Sequence, residues 1–316
     1  MAVLDRRSTS AATDARPVDV GATLAPYRRG ASDPTTWIDC IGNGSAGAGR
    51  FTRATFTPDG PATVNIRWDG NGLLDAETWG PGADWLLARV PFMIGDGDEG
   101  APDLESDEHP AVARAARSQR ALRLGASGGF YHELLPTIIE QRITGLEAKR
   151  QWAALCHELS GPAPGPFARL LLPPAPDVLR RQPSWWFHPL GIERKRAQPL
   201  IEVARHASKL WEWAELDPRE AERLLHLIPG VGVWTTGMTL GPVMGDPDAV
   251  PVGDYHVKNI IGFALANEAR ATDERMLQLL APYAGQRGRV VRIVMADGNG
   301  APKFGPRQRI LPMARW

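Results

Sequence analysis

The chain has 316 residues, room for one large domain or two ordinary ones with an ample core. Its 36 Lys+Arg balance 36 Asp+Glu, so net charge by itself argues against a nucleic-acid partner, and no apolar run approaches the roughly 20 residues of a membrane span. Two cysteines, Cys40 and Cys156, argue against a disulfide framework, favour a cytosolic setting, and are too few for the four thiolates of an iron–sulfur cluster.

Residues 1–17 are rich in Ala, Ser, Thr and Arg without an apolar core, which predicts a disordered tail rather than a secretion signal. Residues 18–108 read as β-rich. Phe51–Thr57 and Ala62–Trp68 alternate around Pro58-Asp-Gly-Pro, a hairpin signal, and Asp69-Gly-Asn-Gly marks a further turn. Ala83–Arg89 looks like a short helix. Gly95 to Glu108 is an acidic loop read as a solvated linker, since its spacing does not match a calcium loop.

From His109 the pattern turns helical. The expected helices are 110–122, 130–141, 144–159, 176–182, 192–212, 218–227, 234–244, 255–265, 273–283 and 287–295, interrupted by Pro-rich breaks at 161–166 and 172–176. A β-rich piece followed by helices gives an α+β chain: a β domain over 18–108, a helical domain over 109–300 and a basic tail over 301–316. Charge divides the same way. Residues 1–130 hold 13 Lys+Arg against 17 Asp+Glu, and residues 131–316 hold 23 against 19, so the helical half is modestly basic.

The most informative stretch is Leu227-Ile-Pro-Gly-Val-Gly-Val-Trp-Thr-Thr236. An amphipathic helix precedes it and an apolar one follows. Gly230 and Gly232 are expected to take positive φ and to let the backbone approach a ligand. The second helix then opens with free N–H groups and its positive dipole end outward, which suits a phosphate. By itself such a turn is also an ordinary helix–helix connection. Asp254, twenty residues after Trp234, opens a further helix at Asp254-Tyr-His-Val-Lys.

Hairpin, Trp234, Asp254 and their spacing together resemble the helix-hairpin-helix DNA glycosylase superfamily, most closely its bacterial 3-methyladenine (alkylation-repair) branch. The resemblance is specific over about 130–296. It implies an N-terminal antiparallel, TBP-like β domain followed by a helix-hairpin-helix bundle split by a cleft. It also implies a monomer in the cytoplasm or on the nucleoid, acting on double-stranded DNA that carries damaged bases, with no membrane partner.

Asp254 is the candidate catalytic residue. Breaking an N-glycosidic bond builds positive charge on the sugar, and a carboxylate beside it stabilises that state and orients water. An Asp before a helix is also a common N-cap. No lysine stands at the hairpin, so a monofunctional, water-using enzyme is expected. The resemblance places the DNA-backbone contacts at Gly230, Val231, Gly232 and Thr235, and a wedge for the flipped nucleotide's place at Gln141 and Arg142. It places the base pocket at Trp234, Met238, Tyr255 and Met295. Met238 and Met295 stand where that branch carries aromatics, which leaves the lesion open among alkylated, oxidised, mismatched and bulky bases, and leaves open a lesion binder without chemistry. Trp185-Trp-Phe-His-Pro189 reads as core or cleft wall. The histidines show no paired metal spacing, so no metal or other cofactor is expected beyond a monovalent cation that the resemblance puts on carbonyls of residues 227–232.

Overall fold

A computed structural model describes residues 6–12, 18–41, 47–70, 72–298 and 300. Five antiparallel strands, β1 (Arg6–Ala12), β2 (Thr36–Ile41), β3 (Ala48–Thr57), β4 (Gly60–Trp68) and β5 (Leu73–Trp79), form one sheet in the order β1-β5-β4-β3-β2. The predicted hairpin is β3–β4, with Thr57 opposite Gly60. Alternation puts Ala62, Val64, Ile66 and Trp68 on one face, buried beneath α1 (Val20–Leu24) and α2 (Ala83–Met93).

Two expectations fail in this half. Residues 6–12 are not a tail: they form the edge strand β1, in register from Arg6 opposite Trp79 to Ala12 opposite Leu73. An edge strand needs one neighbour and no apolar alternation, so its polar composition concealed it. The acidic loop is not a plain solvated linker. Asp98 is buried and ion-paired to Arg289, and its Oδ2 accepts the Leu124 N–H at 2.9 Å.

The helices are α3 (Pro110–Ser118), α4 (Phe130–Glu140), α5 (Gly145–Leu159), α6 (Pro176–Leu179), α7 (Arg194–Arg205), α8 (Ala207–Trp213), α9 (Pro218–Leu225), α10 (Val233–Met244), α11 (Tyr255–Ala266), α12 (Asp273–Leu280) and α13 (Arg287–Ala296). The helix expected over 192–212 breaks at His206. There ψ turns to 5°, out of the helical range, and the ring Nδ1–H donates to the Glu202 carbonyl at 2.8 Å. The aromatic run forms a short 3₁₀ helix (Ser184–Leu190) that buries Phe187 and leaves Trp185 exposed. The expected tail over 301–316 lies outside the described residues.

The helices build two apolar cores. One gathers α4 to α10 around Trp152, Leu200 and Leu240. The other gathers α3 with α11, α12 and α13 around Val257, Met276 and Val290, and takes in Leu104 from before the expected domain boundary. The chain thus leaves the second core after α3, builds the first, and returns. The return crosses the segment between α10 and α11, which carries the candidate site.

A buried ionic network fastens the sheet to the first core. Glu133 of α4 takes Arg53 of β3 at 2.5 Å and Arg29 at 3.0 Å, and all three side chains are nearly or fully enclosed. Beside it, the Thr35 hydroxyl donates to Asp33 at 2.8 Å, so it must accept the Nε2–H of buried His132 at 3.1 Å. His132 Nδ1 is then left to accept from Thr55 at 3.1 Å, a neutral ring satisfied on both nitrogens. Burial, reinforced by Arg53 and Arg29, holds its pKa well below the ordinary histidine value.

Candidate active site and nucleic-acid interface

The hairpin joins α9 to α10 through residues 226–232. Gly230 has φ +89°, and a Cβ there would lie 2.2 Å from Pro199 Cγ, so both conformation and space require glycine. Gly232 departs from expectation. Its φ is −118°, in extended backbone open to any residue, and a Cβ would meet nothing within 4 Å. Glycine there keeps the outer side of the turn open.

No side chain caps α10. The first hydrogen bond of the helix runs from the Thr236 N–H to the Gly232 carbonyl, 3.0 Å, and the N–H groups of Gly232, Val233, Trp234 and Thr235 have no acceptor among the described residues. Leu227 and Val233 are exposed on either side. Unpaired donors at a helix start, reachable over a bare glycine, have the arrangement that suits an anion. Val231 differs from its expected contact role: it is buried in the first core, with its N–H on the Ile228 carbonyl. The Thr235 side chain is likewise buried and engaged from within, which leaves only its N–H for a ligand.

Asp254 caps α11. Its Oδ1 accepts the N–H groups of His256 and Val257 at 2.8 and 3.0 Å, while Oδ2 accepts the Trp234 indole N–H at 3.1 Å. Capping and any chemical role therefore fall on different oxygens. Because Trp234 opens α10 and Asp254 opens α11, this one bond joins the rims of the two helical cores.

Gly237, one turn into α10, makes that meeting possible. A Cβ there would stand 2.2 Å from the Val250 carbonyl oxygen and 2.7 Å from Pro251 Cα, so only glycine lets the 250–253 segment lie against the helix. Asp273 then pins the turn: its Oδ1 accepts the Gly253 N–H at 2.8 Å and its Oδ2 the Lys258 Nζ at 2.9 Å. Burial raises the Asp273 carboxyl, but these two donors outweigh it and hold the pKa below the ordinary value. Neither Gly237 nor Asp273 stood out in the sequence. The Gly after Trp-Thr-Thr was a signal passed over, whereas Asp273 reaches the turn only through the fold.

The other expected pocket residues are less closely joined. Met238 is half-buried in α10. Tyr255 is exposed, its ring edge-on to His256 with centroids 5.2 Å apart. Met295 is exposed on the last turn of α13, an end anchored to α3 through Asp297.

The two wedge residues separate in role. Arg142 is exposed, makes no hydrogen bond or ion pair among the described residues, and has φ +59°, a left-handed conformation uncommon for a residue with a side chain. Gln141 instead turns inward: its Nε2 meets the Gly230 carbonyl and the Thr235 hydroxyl, each at 3.0 Å.

No protein-family model matches the chain, and no curated protein matches it. Among solved structures it is similar to a 3-methyladenine DNA glycosylase from Archaeoglobus fulgidus, at 16% identity and TM-score 0.73, covering 92% of this chain and 98% of that one. The chain has the fold of that glycosylase. It is similar as well to an 8-oxoguanine glycosylase/lyase from Clostridium acetobutylicum bound to double-stranded DNA with cytosine opposite 8-oxoguanine, at 13% identity and TM-score 0.65, covering 94% and 98%. A structure of MBOgg1 with a low-affinity DNA ligand gives 14% identity and TM-score 0.67, covering 94% and 98%. The α+β fold of β domain and helical bundle is therefore shared along nearly the whole length, at identities that carry the architecture alone.

Proposed function

We propose that this protein is a monofunctional DNA glycosylase of base excision repair that removes damaged, alkylated purines by hydrolysis. The observation that carries the proposal is the Asp254 carboxylate, fixed by Trp234 beside a hairpin that ends in four amides, Gly232 to Thr235, without a partner among the described residues. The amides from Gly232 to Thr235 would take a phosphate of one strand, and Arg142 would fill the space of a nucleotide turned out of the stack. As the base leaves, Asp254 Oδ2 would stabilise the sugar cation and orient the incoming water. Oδ2 has one N–H partner, so it keeps a lone pair for this task.

Two features support hydrolysis rather than a Schiff base. The hairpin contains no lysine, and Lys258, the nearest one in sequence to Asp254, spends its ammonium on Asp273. The carbonyls of Ile228, Gly230 and Gly232 accept the N–H groups of Val231, Gln141 and Thr236, and each keeps a second lone pair that a monovalent cation at the hairpin would use. The Trp234 ring, its edge committed to Asp254, would present a face to an electron-poor purine.

The test is base release from duplexes carrying a single 3-methyladenine, 7-methylguanine, hypoxanthine or 8-oxoguanine, with abasic sites then cut by alkali. Strand breaks at an alkylpurine only after alkali support the proposal. Release of 8-oxoguanine alone would move the substrate to oxidised bases, and breaks without alkali would contradict the monofunctional assignment. Tight duplex binding without any release would mark a lesion binder.

A further inference from the structure

The Gln141 amide is the single bridge between the turn that carries Arg142 and the hairpin, among the hydrogen bonds and ion pairs of the described residues. We infer that Gln141 is a positioning residue that makes wedge and hairpin one unit, so that phosphate grip and strand invasion occur together. The inference rests on the proposed glycosylase function and extends it to a residue placed by sequence in the wedge itself.

The geometry has a definite polarity. The Gly230 carbonyl can only accept, so the Gln141 side chain must present its NH₂ group to it, and the second hydrogen of the same group meets the Thr235 hydroxyl. Both partners lie at the critical corner. Gly230 is the residue whose conformation turns the hairpin, and Thr235 is the last of the α10 residues with an unpaired N–H. On the other side, Gln141 is the C-cap of α4, and Arg142 follows it directly with φ +59°. A left-handed residue with a side chain persists only when its surroundings fix it. Here the fixing bonds come from 89 and 94 residues further along the chain. α4 itself is anchored by Glu133 to Arg53 and Arg29, so the wedge turn sits between a rigid helix and the hairpin. An inserted Gln141 would have to abandon both bonds and leave the Gly230 carbonyl unpaired.

Gln141→Leu removes the donors and keeps the side-chain size. Thr235→Val removes only the hydroxyl partner and serves as the second variant should the first fold poorly. In the free protein, hydrogen exchange at the Val231 and Thr236 amides, both bonded within the hairpin, should accelerate about tenfold in Gln141→Leu. Unchanged exchange there would overturn the inference whether or not the protein acts on DNA. On duplexes with an abasic-site analogue, Arg142→Ala should weaken binding about tenfold in the wild-type background and less than twofold in Gln141→Leu or Thr235→Val, because a released wedge turn has little left to lose. Equal losses in both backgrounds would reduce Gln141 to a packing residue. A wild type that binds the abasic duplex no better than an undamaged one would contradict the glycosylase function and leave the exchange result to decide the tie.

Discussion

The interface between sheet and α4 and the corner between α10 and α11 handle polar groups in opposite ways. At the interface Glu133, Arg53 and Arg29 are withdrawn from water and paired, and His132 is bonded on both nitrogens. At the corner four amides have no partner among the described residues, Gly232 opens onto empty space, and Arg142 stands exposed. Satisfied burial fixes one arrangement of two domains, because breaking any part leaves a charge without water. Unsatisfied exposure leaves free energy to be gained from a ligand. The difference separates residues that hold the molecule together from residues available for work.

The sharpest way to break the comparison is at its buried end. Glu133→Ala leaves Arg53 enclosed without a counter-charge and should destabilise by about 3–5 kcal/mol, measured by urea unfolding. A loss under about 1 kcal/mol would mean that the network is hydrated and not a fastening.

Trp234→Phe keeps a ring and removes the N–H from Asp254 Oδ2. A hydrogen bond to a charged group contributes about 1.5–3 kcal/mol, discounted here because both residues are partly exposed. A fall of roughly tenfold in base release with a nearly unchanged melting temperature is expected, and a parallel loss of stability would place the bond on the structural side.

Gly237→Ala tests whether close approach at the corner serves function. A methyl group pressed on the Val250 carbonyl should cost about 1–3 kcal/mol and displace the Asp254 turn, so activity should fall further than stability. Equal falls would show that the contact only packs.

The smallest effect is in pH. His132 is held neutral when folded, with its pKa depressed, whereas the unfolded chain takes up that proton below about pH 6.5. Its contribution is therefore complete above that value and is lost as pH falls below it. Unfolding midpoints from pH 7.5 to 5.0 should decline more steeply for the wild type than for His132→Gln.

The sequence reading succeeded where local pattern and tertiary role coincide. The apolar periodicity of α4, α5, α10 and α11 was visible because those faces meet the cores, and the Pro-Gly-Val-Gly turn was visible because Gly230 must bend there. It failed where the partner lies far along the chain. Strand β1 has no pattern of its own and depends on β5. Asp98 looked solvated because Arg289 is 191 residues away. At the site, Trp234 and Asp254 were legible from type and spacing, but the bond between them was not. The resemblance put Gln141 in the wedge together with Arg142, and only the fold reveals that its amide points to the hairpin.

The central claim is that Asp254 performs chemistry beyond capping α11. Asn is as good an N-cap as Asp, so Asp254→Asn should leave the melting temperature almost unchanged. Single-turnover base release from an alkylpurine duplex should nevertheless fall by about 10²–10³, the scale of losing one preorganised electrostatic group, while abasic-duplex binding survives. Release at the wild-type rate by a folded Asp254→Asn protein would contradict the account.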